Sequence, residues 1–196
     1  MGWSAYYERH ESRPCSPLLT KALAALRTHQ RQAVDLGCGN GIETQAMLCH
    51  NWAVHAIDSE PEAIARVQKR HSDMAGAPSL LTTELTAFET LEHLPSADLV
   101  FAGFSLPFCR PEHFAKFWGL VTSSLRPGGV LAGQLFGVND AWSDNKSMSF
   151  FTHADCLNLF ATLELLQLQE ADSMGTSMQG PKRWHLFEFV ARKPVA

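Results

Sequence analysis

Hydrophobic positions follow two different spacings along this chain. Short apolar runs that end at glycine or at a polar residue are typical of buried strands, and apolar residues three or four apart are typical of helices. The short runs predict strands over residues 32–36, 53–57, 80–83, 99–104, 130–136, 163–169 and 185–192. The periodic segments predict helices over residues 18–28 and 42–49, from 61 onwards, and over 111–125 and 152–160.

Two of the predicted helices carry recognisable start signals. Ser59 precedes Pro61 and two glutamates, and a serine cap followed by proline and acids in the first turn is typical of a helix N-terminus. Thr152 and Asp155 have the spacing of a reciprocal cap. We therefore expect helices to begin just after Ser59 and at Thr152.

The order of the elements predicts an α/β fold. Strands that alternate with helices form a mostly parallel sheet covered on both faces. The last two predicted strands are joined only by the polar loop 173–182, so they cannot both be parallel neighbours. We expect a Rossmann-like doubly wound sheet of about seven strands, mostly parallel, with an antiparallel C-terminal edge strand.

Composition narrows the class of protein. The chain has 196 residues, 45% of them hydrophobic, and a formal net charge of −4, which fits one packed domain over residues 1–196. A mildly acidic chain without a basic run is not expected to bind nucleic acid, and no apolar run is long enough for a membrane span. We expect a monomer or a weak homodimer.

Cysteine and histidine usage points to a reduced, metal-free protein. The five cysteines form an odd set without a C-x-x-C pair, so neither a disulfide framework nor a zinc cage is expected. The nine histidines show no metal-binding spacing. The first residues lack the apolar stretch of a secretory signal, and we therefore expect a cytoplasmic location.

The most informative segment is the glycine-rich turn after the first predicted strand, Asp35-Leu36-Gly37-Cys38-Gly39-Asn40-Gly41. Glycines at such a turn allow the backbone to approach a ligand closely. The dinucleotide fingerprint needs a glycine where Ile42 stands, and a phosphate loop needs a lysine that is absent here. Asp35 at the mouth of the turn repels pyrophosphate and suits a cationic amino group.

A second acid, Asp58, ends the second predicted strand about 20 residues after the glycine turn. A carboxylate at this place can accept hydrogen bonds from both ribose hydroxyls. Together, Asp35, the glycine turn and Asp58 predict a site for a nucleoside that carries a positively charged amino-acid tail.

This combination resembles the class I S-adenosylmethionine-dependent methyltransferases. Their acid-x-Gly-x-Gly-x-Gly motif is complete at residues 35–41, their ribose acid matches Asp58, and their fourth-strand motif and Leu-Arg-Pro-Gly-Gly turn match residues 97–104 and 125–129. The resemblance implies S-adenosyl-L-methionine as cofactor. The implied cofactor-binding residues are Asp35, Gly37, Cys38, Gly39, Asn40, Gly41, Asp58, Ser59, Glu84, Leu85, Ala102 and Phe104.

Within that family the chain is similar to small bacterial methyltransferases named tellurite-resistance-like. The similarity lies in residues 105–109, 136–137 with 140–142, and 183–187. The class I resemblance implies methyl transfer by in-line displacement, with catalysis mainly by positioning. A small-molecule acceptor is expected, because one domain of 196 residues leaves little chain for a separate substrate domain. The implied division is an N-terminal helical cap at 1–30, a cofactor-binding core at 33–136 and a substrate loop at 137–152.

Acceptor-binding and proton-accepting residues follow less directly. The candidate substrate residues are Tyr6, Tyr7, Arg13, Phe108 and Trp142, and Trp3 and Phe104 are further aromatic candidates for the pocket wall. Asp140, His153, His185, Tyr6 and Tyr7 are candidate bases, although none is marked as obligatory by its sequence context. A base is needed only if the acceptor atom holds a proton at neutral pH. The acceptor atom stays open among oxygen, nitrogen, sulfur and a chalcogen oxyanion.

Two other functions compete with methyl transfer. A sensor or partner protein could keep the same nucleoside site and bind S-adenosylmethionine without catalysis. A nicotinamide-dependent oxidoreductase would share the fold, but Ile42 breaks its glycine fingerprint.

Overall fold

The computed structural model describes residues 3–28, 30–74 and 80–195. Residues 1, 2 and 29 of the predicted N-terminal cap, and residue 196 of the predicted domain, lie outside this range. The strands are β1 Gln32–Leu36, β2 Ala53–Asp58, β3 Leu81–Leu85, β4 Ala97–Ala102, β5 Leu125–Gly137, β6 Phe150–Phe151, β7 Glu164–Ser177 and β8 Gly180–Arg192. The helices are α1 Trp3–Arg9, α2 Pro17–Ala24, α3 Ile42–Cys49, α4 Pro61–Ser72, α5 Pro111–Ser124 and α6 His153–Leu159.

The strands form one sheet in the order β3-β2-β1-β4-β5-β8-β7, and β6 adds a short pair to β5. The pairs among β3, β2, β1, β4 and β5 are parallel, whereas β8 runs antiparallel to both β5 and β7. The predicted α/β, mostly parallel sheet with a reversed C-terminal strand is confirmed. The reversed strand β8 lies one place inside the edge, which β7 occupies.

The polar segment 173–182, predicted as a loop, is instead a two-stranded ribbon. Pairing of β7 with β8 continues to Ser177 opposite Gly180, and Gly180 takes the positive φ of 109° that the tight turn requires. Backbone pairing between adjacent antiparallel strands does not depend on an apolar face, so the polar side chains gave no strand signal. The loop prediction was wrong here.

Helix boundaries show smaller differences. The helix predicted over 18–28 ends at Ala24, and the seven-residue helix α1 has too little length to show a period. Helix α4 begins at Pro61, so Glu60 rather than Ser59 is its N-cap, and the Glu60 N–H donates to the Asp58 carboxylate. The reciprocal cap of Thr152 and Asp155 is present as predicted.

Hydrophobic clusters cover both faces of the sheet and hold the strand ends rigid. One cluster packs α5 and the phenylalanines of β8 against β4 and β5, and the other packs α2 and α3 against β1 and β4. All six residues of β4 are buried. None of the helices in the described ranges is long and apolar enough to cross a membrane. The carboxyl ends of these buried strands carry the site described next.

Candidate active site

The glycine turn after β1 requires glycine at several positions. Gly37, Gly39 and Gly41 all have positive φ, at 69°, 52° and 77°. A Cβ on Gly37 would stand 2.3 Å from the Cβ of Ser105, and one on Gly41 would stand 2.8 Å from Val67. Larger residues would therefore push the turn away from its neighbours.

Asp35 is buried at the carboxyl end of β1, where it is 2% exposed. Thr44 at the start of α3 donates a 2.5 Å hydrogen bond to its carboxylate. Burial raises the pKa of Asp35 to about 7, and the Thr44 hydrogen bond partly opposes this rise. A buried acid of this kind is stabilised in its charged form when a cation comes close.

Asp58 ends β2 and holds the glycine turn. Its carboxylate accepts the backbone N–H of Gly39 at 2.9 Å and that of Glu60 at 2.9 Å. Burial raises the pKa of Asp58 while these backbone hydrogen bonds lower it. The acid therefore stands beside the turn in the place predicted for it, and Ser59 follows it.

Glu84 and Leu85 lie at the end of β3, next to β2. The Glu84 carboxylate lies 3.1 Å from the ring Nε2 of His55. Leu85 is exposed and lies opposite Asp58 in the register of β2 and β3. In this arrangement the Glu84 carboxylate already has a partner.

The end of β4 has an unusual backbone. Ala102 is fully buried, and Phe104, two residues later, has a φ of 56° although it is not glycine. The Phe104 N–H donates to the side-chain oxygen of Gln134 at 3.0 Å, and its ring is 44% exposed. Ser105 donates to the backbone carbonyl of Leu36, which ties the end of β4 to the glycine turn.

The N-terminal segment covers the glycine turn. Tyr6, Arg13, Asp35, the backbone of residues 37–40 and Gly103 line a cavity of about 50 Å³. Arg13 donates two hydrogen bonds, of 2.7 and 2.5 Å, to the carboxylate of Glu43, and the side-chain amide of Asn40 donates to the His10 carbonyl. Because ligand pockets are usually several hundred Å³, a nucleoside ligand requires this segment to move.

A series of aromatic contacts extends from this cover past Phe136 of β5 to Trp142. The Trp3 ring lies 5.3 Å from Phe108, Phe108 lies 6.4 Å from Phe136, and Phe136 lies 6.0 Å from Trp142. Tyr7 is buried with its ring 3.6 Å from the position of a Cβ on Gly39. The predicted substrate residues are therefore brought to one edge of the sheet, although Trp142 is several rings away from the cavity.

The candidate bases already have hydrogen-bond partners. Asp140 is buried and pairs with Lys182 at 2.7 Å. The Nδ1 of His185 accepts the Asn139 N–H, so its Nε2 donates to Glu170, which also binds His153.

The two tyrosines are also poor bases. Burial raises the pKa of Tyr6 and that of Tyr7, so both phenols keep their protons near neutral pH. Each of the five candidate bases is therefore either held by a partner or protonated near neutral pH.

Several residues at this edge were not singled out from the sequence. Glu43 holds Arg13, Gln134 holds Phe104, and Lys182 pairs with Asp140 between the rings of Trp142 and Trp184. Gln134 is a polar residue inside an otherwise apolar strand, whereas Glu43 and Lys182 have polar neighbours in the sequence. The anomaly at Gln134 was the available signal, but its partners are distant in sequence.

Comparison with known proteins agrees with this geometry. A family described as a methyltransferase domain matches residues 33–129. A trans-aconitate 2-methyltransferase of Rhizobium leguminosarum bv. trifolii is 32% identical over 142 residues, which cover 69% of this chain and 50% of the relative. A carboxy-S-adenosyl-L-methionine synthase of Erwinia tasmaniensis is 31% identical over 146 residues, 69% of this chain and 56% of the relative.

The fold also matches solved structures. The crystal structure of TehB from Haemophilus influenzae superposes with a TM-score of 0.80 at 14% identity, and the match covers 96% of this chain and 65% of TehB. The chain spans about half the length of the curated relatives described above. The family match, the relatives and the fold agree with the placement of Asp35 and Asp58 on either side of the glycine turn. The chain belongs to the class I S-adenosylmethionine-dependent methyltransferase family.

Proposed function

We propose that this protein transfers a methyl group from S-adenosyl-L-methionine to a small-molecule acceptor. One observation carries the proposal: the buried acid Asp35 and the acid Asp58 flank a glycine turn with three left-handed residues, at the carboxyl ends of two adjacent parallel strands. Ligands of open α/β sheets bind at this edge. One relative named as a carboxy-S-adenosyl-L-methionine synthase and one named as a methyltransferase support the same conclusion.

The residues present fit this cofactor. Asp35 would face the positively charged amino group of the methionine tail, and Asp58 with Ser59 would accept the ribose hydroxyls. The backbone of Gly37, Cys38, Gly39, Asn40 and Gly41 would lie against the ligand. The adenine end would lie by Glu84 and Leu85, and the methyl-bearing end by Ala102 and Phe104.

When bound, the cofactor supplies a methyl group that is already activated by the sulfonium sulfur. The chain then has to align the acceptor with that methyl group and exclude water, which can contribute about 7–11 kcal/mol to lowering the barrier. Trp3, Tyr6 and Phe108 provide an apolar wall for this purpose. Arg13 would exchange Glu43 for a carboxylate of the ligand as the cover closes.

Calorimetry with S-adenosylmethionine and S-adenosylhomocysteine tests the cofactor half of the proposal. We expect both to bind the unmodified chain and Asp58→Ala to weaken binding at least tenfold, because the variant removes the ribose acceptor and the Gly39 anchor. Glu92→Ala changes an exposed acid in the loop before β4 and should leave affinity unchanged. Failure of both nucleosides to bind the unmodified protein would overturn the proposal.

A radiolabelled methyl-transfer assay tests the acceptor half. Trans-aconitate, the acceptor named for some relatives, is the first carboxylate probe, followed by small thiols and amines. Binding of the cofactor with no transfer to any probe would favour a sensor or partner protein. Protection from thermal unfolding by reduced nicotinamide dinucleotide and not by S-adenosylmethionine would favour an oxidoreductase.

We further propose one domain with the division stated above, an N-terminal cap at 1–30, a core at 33–136 and a substrate loop at 137–152. All five cysteines are free thiols, which supports a reducing, cytoplasmic environment. A monomer or weak homodimer is the proposed state, and sedimentation equilibrium tests it.

A further inference from the structure

We propose that Gln134 is a positioning residue whose side-chain oxygen holds the left-handed backbone of Phe104 and thereby shapes the end of β4 for the cofactor. The inference rests on the proposed function, because it concerns the same site. It adds a residue on β5 that neither the motif nor the matched span 33–129 contains.

Phe104 needs external support for its conformation. A left-handed backbone is unfavourable for a residue with a large side chain, and here φ is 56°. The neighbouring Gly103 lines the cavity at the glycine turn. A change in the backbone at Phe104 would therefore be transmitted directly to the wall of the cofactor site.

Gln134 is placed to provide that support. It is 3% exposed, and it follows Gly133, which pairs with Ala102 across the parallel β4–β5 ladder. Its Oε1 accepts the Phe104 N–H at 3.0 Å. The segment is thus held from two sides, by Gln134 on β5 and by the Ser105 hydroxyl on the Leu36 carbonyl of β1.

The neighbours of Gln134 determine the orientation of its side-chain amide. Its Nε2 donates to Glu188 on β8 at 3.3 Å, and Glu188 also accepts from Lys21 at 3.1 Å and from Gln167 at 3.2 Å. A rotated amide would place its NH2 group against the Phe104 N–H and its oxygen against the Glu188 carboxylate. Only the observed orientation satisfies both neighbours.

Comparison of Gln134→Leu with Gln167→Leu distinguishes loss of the contact with Phe104 from loss of a hydrogen bond to Glu188. Both glutamines donate to Glu188, but only Gln134 reaches Phe104. We expect Gln134→Leu to raise the Kd of S-adenosylhomocysteine about tenfold, because binding must then order the Phe104 backbone without this buried hydrogen bond. Gln167→Leu should change the Kd less than about twofold.

A double-mutant cycle on the Kd distinguishes a positioning role of Gln134 from a purely structural one. Asparagine tolerates the left-handed region much better than phenylalanine, so Phe104→Asn reduces the need for support. In the Phe104→Asn background we expect Gln134→Leu to change the Kd less than about threefold. An equal loss in both backgrounds would show that Gln134 acts on the fold in general and would overturn the inference.

Hydrogen exchange tests the contact without any ligand. The Phe104 amide should exchange at least tenfold faster in Gln134→Leu, or in Gln134→Asn if the leucine variant does not fold, while amides within β1 and β4 are unchanged. An unchanged Phe104 rate would contradict the inference. Absence of nucleoside binding by the unmodified chain would instead contradict the proposed function, so the two failures are distinguishable.

Discussion

Asp35 couples the site to pH through its buried carboxyl group. Its pKa is raised to about 7 by burial, whereas an unfolded chain releases this proton near 4. Between about pH 4 and 7 the folded state holds a proton that the unfolded state has lost, so the free energy of unfolding from this group falls as pH rises through that window. Above about pH 7 the loss is complete, and the folded protein carries a buried charge that a cationic ligand would stabilise.

We therefore expect the affinity for S-adenosylhomocysteine to rise with pH. Between pH 5 and pH 7 the Kd should fall by up to about tenfold per pH unit, because the ligand's ammonium group prefers the ionised carboxylate. Calorimetry in buffers of different ionisation enthalpy should also detect proton release on binding. Asp35→Asn is the control, and its Kd should be weak and independent of pH over the same range. A wild-type Kd that does not change with pH would contradict the assigned contact.

At the scale of elements, α1 is attached to the rest of the domain mainly by side chains. Glu11, just after α1, accepts from Arg66 at 2.9 Å and from Arg70 at 2.8 Å, and both arginines belong to α4. Arg9 reaches the sulfur of Met178 at the tip of the β7–β8 ribbon. Half-exposed ion pairs of this kind contribute little to global stability but can hold a short segment in place.

Glu11→Ala should accordingly loosen the cover without unfolding the domain. We expect both association and dissociation of S-adenosylhomocysteine to accelerate by up to about tenfold in stopped-flow measurements, since two ion pairs are lost. The free energy of unfolding should change by less than about 1 kcal/mol. Glu112→Ala, which alters an exposed acid at the start of α5, should leave both rates unchanged. Equal rates in Glu11→Ala and the unmodified chain would show that α1 does not limit entry.

The loop after β5 is attached to β8 in a different way. Lys182 is 3% exposed, pairs with Asp140 and lies 3.3 Å from the centre of the Trp184 ring. Asp140 also accepts the backbone N–H groups of Trp142 and His185, so one buried acid organises both segments. Burial lowers the pKa of Lys182, and the Asp140 carboxylate opposes that shift.

Breaking this pair should destabilise the protein strongly. We expect Lys182→Met to lower the free energy of unfolding by about 3–5 kcal/mol, because it leaves the Asp140 charge buried without its partner. Lys69→Met removes the exposed pair with Asp73 and should cost less than about 1 kcal/mol. Urea unfolding followed by circular dichroism measures both. A loss of under about 1 kcal/mol in Lys182→Met would show that water reaches Asp140.

At the scale of the whole molecule, ligand binding and stability are linked by mass action. S-adenosylhomocysteine at 100 times its Kd should add about 2.7 kcal/mol to the stability of the folded state. For a chain of 196 residues this corresponds to a rise in Tm of about 5–10 °C, measurable by scanning calorimetry. Asp58→Ala at the same ligand concentration should show a much smaller rise. No shift in the unmodified protein would mean that the nucleoside does not bind the native state.

The local hydrophobic pattern predicted the central sheet well, because each buried strand is a short apolar run in the sequence. The glycine turn and Asp58 were also readable, since their chemistry follows strand ends directly in the sequence. The ribbon at 173–182 was missed because its pairing is between backbones. The bounds of α1 within the predicted N-terminal cap were not given, because seven residues show no period. Gln134 and Lys182 acquire their roles from partners that are 30 and 42 residues away, which no local pattern contains.

The order of the strands has a consequence for how such a chain can change over evolutionary time. Asp35 and Asp58 end β1 and β2 on one side of β4, whereas Trp142 and Lys182 belong to segments around β5 and β8 on the other. Substitutions at Trp142 or Lys182 leave the parallel pairing of β1 with β2 and β4 untouched. Under the proposed function, a lineage with this architecture can therefore acquire new acceptors by mutation of the loop after β5 and still inherit the residues proposed to bind the methyl donor.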